Sequence, residues 1–254
     1  MKKIIHLSDL HVGHANLSEK LRHIIDTIIL LKQPAKKYVV LATGDIVDNA
    51  NIESQYGEAK AHMDRLEAAG FTVLLAPGNH DYGSGILAKR EYVKAFKKTF
   101  FGQASIKYPK LDIIENTAFI GLDSMAEEIH WYDALFANGE LGQDQLNRLD
   151  STLDQPDVHA CKYRVVYLHH HPFDAWFAHE LKDSEALGQV LRKHGNVDAL
   201  LYGHNHAAKV RNGAWDIPRC YDAGTATGKS DGVIRHRVID LSRDPRWDYD
   251  GDFL

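Results

Sequence analysis

Residues 37–48 read Lys37-Tyr38-Val39-Val40-Leu41-Ala42-Thr43-Gly44-Asp45-Ile46-Val47-Asp48. The first seven form a strand-length run with a β-branched core, broken by a glycine and two carboxylates three positions apart. An apolar run without alternation suits a strand covered on both faces. Polar groups massed just past such a strand stand where open α/β sheets bind ligands. The same unit recurs along the chain. Lys3 to Leu7 leads into Asp9-Leu10-His11, and Phe71 to Ala76 into Gly78-Asn79-His80-Asp81. Tyr163 to Leu168 leads into His169-His170-His171-Pro172, and Ala199 to Tyr202 into Gly203-His204-Asn205-His206. Polar clusters at five strand ends can converge on one site.

Helical patterns separate these runs. Leu21, Ile24, Ile25, Ile28 and Leu31 keep helical spacing after an Asn16/Glu19 pair that resembles a capping box, and Pro34 closes the segment. Tyr56, Ala59, Met63 and Leu66 mark a second helix with Gly70 as its cap. Further helices are expected near Ile86–Phe100, around Leu146, Leu149 and Leu153, and over Ser184–His194. Leu111 to Glu115 and Ala118 to Leu122 flank Asn116-Thr117 as a hairpin, and late strands are expected at Tyr221–Ala223 and Val233–Leu241. The acidic, aromatic tail after Asp244 reads as either an ordered strap or a frayed end. Without an internal repeat or a Pro/Gly/Ser linker, the chain reads as a single domain over 1–254.

Composition removes whole classes. The 254 residues are 44% hydrophobic and 26% charged, enough for a core that needs no staples. Lys and Arg number 30 against 35 Asp and Glu, and no basic run exceeds two residues, which argues against long nucleic acid as a partner. The two cysteines, Cys161 and Cys220, form no C-x-x-C and suit a reducing compartment. No run approaches the roughly 18 apolar residues of a membrane span. The apolar start stops at His6, so it reads as a first strand rather than a signal segment. The expectation is a cytoplasmic protein without a membrane partner. Sixteen histidines are the unusual number, and metal is the first explanation to test.

Carboxylate, amide oxygen and imidazole suit Mn, Fe, Co or Zn, and the lack of thiolate disfavours a purely structural zinc. In D-x-H and H-x-H, positions i and i+2 of an extended segment point to one side, so both can reach one ion. Taken singly, each block has an ordinary reading: a lone G-D is a turn, and consecutive histidines can be packing at a strand end.

Taken together and in order, the blocks D-x-H, G-D-x-x-D, G-N-H-D, a His block before Pro, and G-H-x-H resemble the calcineurin-like metallophosphoesterases over nearly the whole chain. The resemblance implies an α/β, four-layer αββα sandwich: two mixed sheets flanked by helices. It implies two divalent metal ions, one held by Asp9, His11 and His206, the other by Asn79, His170 and His204, with Asp45 shared. His170 is chosen because the family ligand tends to sit two before the proline; His169 is the fallback. Two carboxylates do not neutralise two divalent ions, so a phosphate is drawn to the site whatever the net charge. Hydroxide between ions ~3.5–4 Å apart would attack phosphorus in line. His80 would protonate the leaving group, with Asp48 as its orienting partner. Asp81 reads as a loop-stabilising acceptor, and Gly44, Gly78 and Gly203 as room for backbone near an ion.

The expected substrate is a small phosphodiester, a cyclic nucleotide first. Gly139-Glu140-Leu141 with Gln145-Leu146 and Leu149 looks like a segment of the cyclic-nucleotide phosphodiesterase branch, although Arg148 stands where a Trp is common. His14, Trp176 and Phe177 are candidate substrate contacts, the last two within an aromatic loop able to stack on a base. A hydrophobic flap or dimer contact is the other reading of that loop. The Gly-flanked stretch 224–228 is either a plain turn or a phosphate-approaching loop. Phosphomonoester, glycerophosphodiester and nucleotide-diphosphate hydrolysis remain alternatives. A binding module, as in the retromer subunit of this fold, is disfavoured because all seven ligand positions and His80 are filled.

Overall fold

Alternation along the strands sets the layers. A computed structural model of the protein describes residues 2–83, 89–125, 138–173 and 181–250. The strands β1 (Lys3–Leu7), β2 (Tyr38–Thr43) and β3 (Thr72–Ala76) run parallel, and β9 (Arg237–Ile239) and β10 (Tyr249–Asp250) continue the sheet antiparallel in the order β10-β9-β1-β2-β3. The second sheet orders β4 (Lys110–Ile114), β5 (Thr117–Gly121), β6 (Tyr163–Tyr167), β7 (Ala199–Tyr202) and β8 (Arg219–Asp222), with only the β4–β5 hairpin antiparallel.

Three apolar layers follow from period-two side-chain alternation. Val39 and Leu41 of β2 meet Val165 and Tyr167 of β6 and Ala199 and Leu201 of β7 between the sheets. Val40 and Ala42 turn the other way, onto α1 (Leu17–Ile29) and α2 (Glu53–Ala68) through Leu21, Ile24, Ile25, Met63 and Leu66. On the far side, Val166 and Leu200 pack with Leu146 and Leu149 of α5 (Gln143–Leu153) and Leu187 and Leu191 of α7 (Ser184–His194). The expected four-layer sandwich is present. Helix α4 (Arg90–Phe101) and the short helices α3 (Asn79–Tyr82) and α6 (Pro156–Ala160) are also present among the described residues; neither short helix was anticipated, although a proline at the first turn of α6 is a start signal.

Some local expectations change. Asn16 precedes α1 with φ −96° and ψ 12°, outside the extended geometry a capping side chain needs, and makes no side-chain cap bond. Of Val233–Leu241 only Arg237–Ile239 is strand. Before it, Val233 N–H donates to His206 O and Ile234 bridges Thr225, because this stretch packs against the site loops instead. The start of the helix expected at Ile86 lies outside the described residues. Through Asp250 the tail is an ordered strap, since the Asp248 carboxylate accepts from Arg219 and the Tyr221 hydroxyl. Among the described residues no helix is long and apolar enough to cross a membrane.

Candidate metal centre

The parallel strands β1, β2, β3, β6 and β7 deliver all five motif blocks to one end of the sandwich. Beyond β1 and β2 the pairing continues: Asp9 N–H donates to Gly44 O at 3.1 Å and His11 N–H to Asp45 O at 3.0 Å. The extended geometry expected for D-x-H and H-x-H does not. Asp9, His11, Asp45, His204 and His206 have φ of 52°, 46°, 49°, 75° and 52°. Each is a left-handed turn, costing on the order of 1–3 kcal/mol, a cost tolerated where surrounding structure enforces it. The side chains converge through these turns, not through strand pleating.

Close backbone passage is enforced by glycine at two points. A Cβ on Gly78 would stand 2.3 Å from Asp45 Oδ1, and one on Gly203 would stand 1.9 Å from Ser8 Oγ and 2.7 Å from Asp9 Oδ2. Both positions therefore need a residue without a side chain.

Two groups of donor atoms result. In the first, His11 Nε2 lies 3.9 Å from Asp9 Oδ1 and 3.8 Å from Asp45 Oδ2, and His206 Nε2 lies 2.9 Å from Asp9 Oδ1. In the second, His169 Nε2 lies 3.1 Å from Asn79 Oδ1, 3.2 Å from His204 Nδ1 and 3.5 Å from Asp45 Oδ1. His11 Nε2 is buried and has no hydrogen-bond partner among the described residues. Its distances to two carboxylates are too long for hydrogen bonds, but two ligands at 2.0–2.1 Å from one ion are at most about 4.2 Å apart. The donor set fits a pair of divalent ions, and Asp45 reaches both groups, with Oδ2 3.8 Å from His11 Nε2 and Oδ1 3.5 Å from His169 Nε2.

The place expected of His170 is taken by His169. His170 is one residue further along, and its Nδ1 is 2.8 Å from the Ser124 hydroxyl while its ring lies 4.5 Å from that of His204. The partnership expected between His80 and the Asp48 carboxylate also differs. His80 Nδ1 donates to the Asp48 main-chain oxygen at 2.6 Å, and its Nε2 faces Asp45 Oδ2 at 4.0 Å. The Asp48 carboxylate instead meets His11 Nδ1 at 3.4 Å, His14 Nδ1 at 3.2 Å and the Lys229 ammonium. His14 is thus exposed at the mouth but tied to Asp48. Trp176 and Phe177 lie outside the described residues.

A model of the calcineurin-like phosphoesterases matches residues 2–208. The chain belongs to this family. It is 30% identical over 173 residues to 3',5'-cyclic adenosine monophosphate phosphodiesterase CpdA of Haemophilus influenzae, a match covering 66% of this chain and 54% of that relative. It is 27% identical over 215 residues to a probable cyclic nucleotide phosphodiesterase of Vesicomyosocius okutanii, covering 81% and 78%. A dimetal phosphatase from Danio rerio shares the fold at 16% identity with a TM-score of 0.67, over 93% of this chain and 91% of that one.

In this calcineurin-like site the carboxylates face the imidazoles. Burial opposes the charge of Asp45, but His169, His80, His11 and His204 outweigh it and hold its carboxyl far below the usual range. Burial likewise opposes Asp9, and the hydrogen bond from His206 brings its pKa down. The reciprocal shifts are upward for His169, against burial, through Asp45 and Asp9, and for His206 through its bond to Asp9. Asp81 is pushed up to about 7, by burial first and by Asp45 second. It accepts from Val47 N–H at 2.9 Å and Gly78 N–H at 2.8 Å, the loop-stabilising part expected of it.

Three supports were not anticipated as such. The stretch 224–228 is a clamp on the first ligand segment: Thr225 Oγ1 donates to Asp9 O at 2.9 Å, Thr227 Oγ1 to Leu10 O at 3.1 Å, and Ala226 N–H to Ser8 O at 2.8 Å. Its glycine flanks were the visible signal. Gly139 lies under His170, where a Cβ would stand 2.4 Å from the ring. Lys229 follows the clamp and reaches Asp48, and nothing in its local sequence marks it.

Proposed function

We propose that the protein is a dinuclear metal-dependent phosphoesterase that hydrolyses a small phosphodiester, with a cyclic nucleotide as the leading substrate. Asp9, His11 and His206 would hold one ion, and Asn79, His169 and His204 the other, with Asp45 available to both. The observation that carries this reading is the buried, unbonded His11 Nε2 set 3.9 and 3.8 Å from two carboxylates. When bound, the ions supply an activated water and draw in the phosphoryl oxygens.

The protein's own part is positional and protic. Asp48 O accepts a hydrogen bond from His80 Nδ1–H and so aims Nε2 at the site. A protonated Nε2 can hand its proton to the departing alkoxide, which needs one at neutral pH. Names of relatives supply the cyclic-nucleotide preference, and the Gly139–Leu149 segment supports it from within the chain.

The test is a hydrolysis panel on chelated protein reloaded with Mn²⁺. Substrates are bis-nitrophenyl phosphate, nitrophenyl phosphate, cyclic AMP and glycerophosphodiesters, with Asp45→Asn as control. Turnover of bis-nitrophenyl phosphate and cyclic AMP, lost in the control, is expected. Turnover of the monoester alone overturns the phosphodiesterase reading, and equal turnover in the control overturns the shared carboxylate.

A further inference from the structure

Lys229 stands outside all five motif blocks, yet its ammonium reaches two groups at the heart of the site. It pairs with Asp48 Oδ1 and lies within hydrogen-bonding distance of His11 Nδ1, at 3.2 Å, where the ring's tautomer sets which atom donates. Asp48 Oδ1 is itself 3.4 Å from His11 Nδ1. The lysine is held there from behind. Gly228 before it is left-handed at φ +82°, as are Ser230 and Asp231 after it at 54° and 55°. The preceding clamp is stitched to Ser8, Asp9 and Leu10. Lys229 is therefore carried on the same rigid loop that fixes the first ligand segment.

His11 can ligate through Nε2 only if its proton sits on Nδ1, because a neutral imidazole carries one proton. A carboxylate at Nδ1 selects that form and aims the ring, the usual arrangement behind a metal-binding histidine. The Asp48 side chain is one-fifth exposed and is also drawn to His14, whose side chain is 46% exposed. On its own it has a choice of partners. We propose that Lys229 is a positioning residue that fastens the Asp48 carboxylate at His11 Nδ1, so that Nε2 is presented bare to the metal. An ammonium accepts no hydrogen bond, so Lys229 and a protonated Nδ1 share one acceptor, Asp48 Oδ1. The inference rests on the dinuclear reading above.

The competing account is electrostatic or tautomeric. As a cation near the ion, or as a donor to a bare Nδ1, Lys229 would oppose metal binding. The two accounts differ in sign. Mn²⁺ is titrated calorimetrically into the chelated full-length protein. Lys229→Met is expected to weaken one of two Mn²⁺ sites by about 10–100-fold, the range for lost support of a ligand. Lys229→Arg restores it, and Asp48→Asn weakens the same site. The double variant is no weaker than Asp48→Asn alone, because Lys229 acts through Asp48. Unchanged or tighter Mn²⁺ binding in Lys229→Met, or multiplied losses in the double variant, overturns the proposal.

Nitrogen-detected NMR of the metal-free His11 ring is the second readout. One Nδ1–H form is expected in the wild type, mixed forms in Lys229→Met. An Nε2–H wild type overturns the lock. If Lys229→Met does not fold, Lys229→Gln takes its place with the same expected losses. A wild type that binds fewer than two Mn²⁺ ions sinks the dinuclear reading, while the ring spectrum still judges the lock.

Discussion

The two sheets bring different chemistry to the same end of the molecule. The sheet of β1, β2 and β3 supplies both carboxylates and the amide, at Asp9, Asp45 and Asn79, together with His11 and His80. The sheet of β6 and β7 supplies imidazoles alone, at His169, His204 and His206. The shortest contacts between these side chains across the gap join unlike groups: Asp9 with His206 at 2.9 Å, Asn79 with His169 at 3.1 Å, Asp45 with His169 at 3.5 Å. Deeper in the same gap the sheets meet through Val39, Leu41, Val165 and Leu201. The inter-sheet seam is thus largely apolar, with the buried His6–Thr43 pair within it, and ionic at one end, where a bound ion would fasten one sheet to the other.

Removing the carboxylate proposed to stand between two ions tests this division most severely. Asp45→Asn should lower diesterase turnover on the order of 10³-fold, several kcal/mol of charge stabilisation, measured at saturating Mn²⁺. A loss under tenfold would mean that Asp45 is not shared. His80 belongs to the first sheet but holds no ion in this scheme. His80→Ala should leave Mn²⁺ binding intact and cut turnover of an alkyl diester about 10²-fold, with a much smaller loss on a nitrophenyl ester. Equal losses on the two esters would remove the acid role.

The regular parts of this molecule were legible because hydrophobic period reports burial directly. β1, α7 and β7 begin and end where the apolar runs and Gly195 place them. The metal-facing blocks were legible by residue type and order. Their local geometry was not, because Asp9, Asp45 and His206 are turned left-handed by tertiary contacts such as the Gly224–Gly228 clamp. The same limit explains His169. In a run of three histidines, sequence gives no register, and the site is set by where β6 ends and by Ser124, which occupies His170. Lys229 was invisible for a related reason: its partner Asp48 is 181 positions away.

If ions fasten the sheets, they should show in stability as well as rate. Saturating Mn²⁺ at about 100 times its dissociation constant should add about 2.7 kcal/mol, or on the order of 5–10 °C in Tm. Chelator should reverse it. In Asp9→Asn the gain should shrink, and an undiminished gain would place the ions elsewhere.

The smallest effect tests the seam itself. His6 lies on the same face of β1 as Ile4, fully buried, with Nε2 3.0 Å from Thr43 Oγ1. Burial first, and Arg237 second, push its pKa down to about 3. Its unfolded value is near 6.5, so between those values the unfolded chain binds more protons, and stability falls as pH drops below 6.5. At pH 5 the loss from this group is about 2 kcal/mol relative to pH 8. Urea unfolding of His6→Gln should show that pH gap narrowed by about this amount. An unchanged gap would mean that the seam accepts a charged imidazole.

The clamp of residues 224–228 has a consequence for how the protein is made. Thr225 holds Asp9 across 216 positions, and β1 lies between β2 and β9. At roughly 5–20 residues per second, tens of seconds separate the emergence of Asp9 from a ribosome and the arrival of its brace. The nascent chain displays Asp9, His11 and Asp45 long before His204 and His206 exist. A metal met early finds only half a nest, and the other half follows only once His204 and His206 are translated.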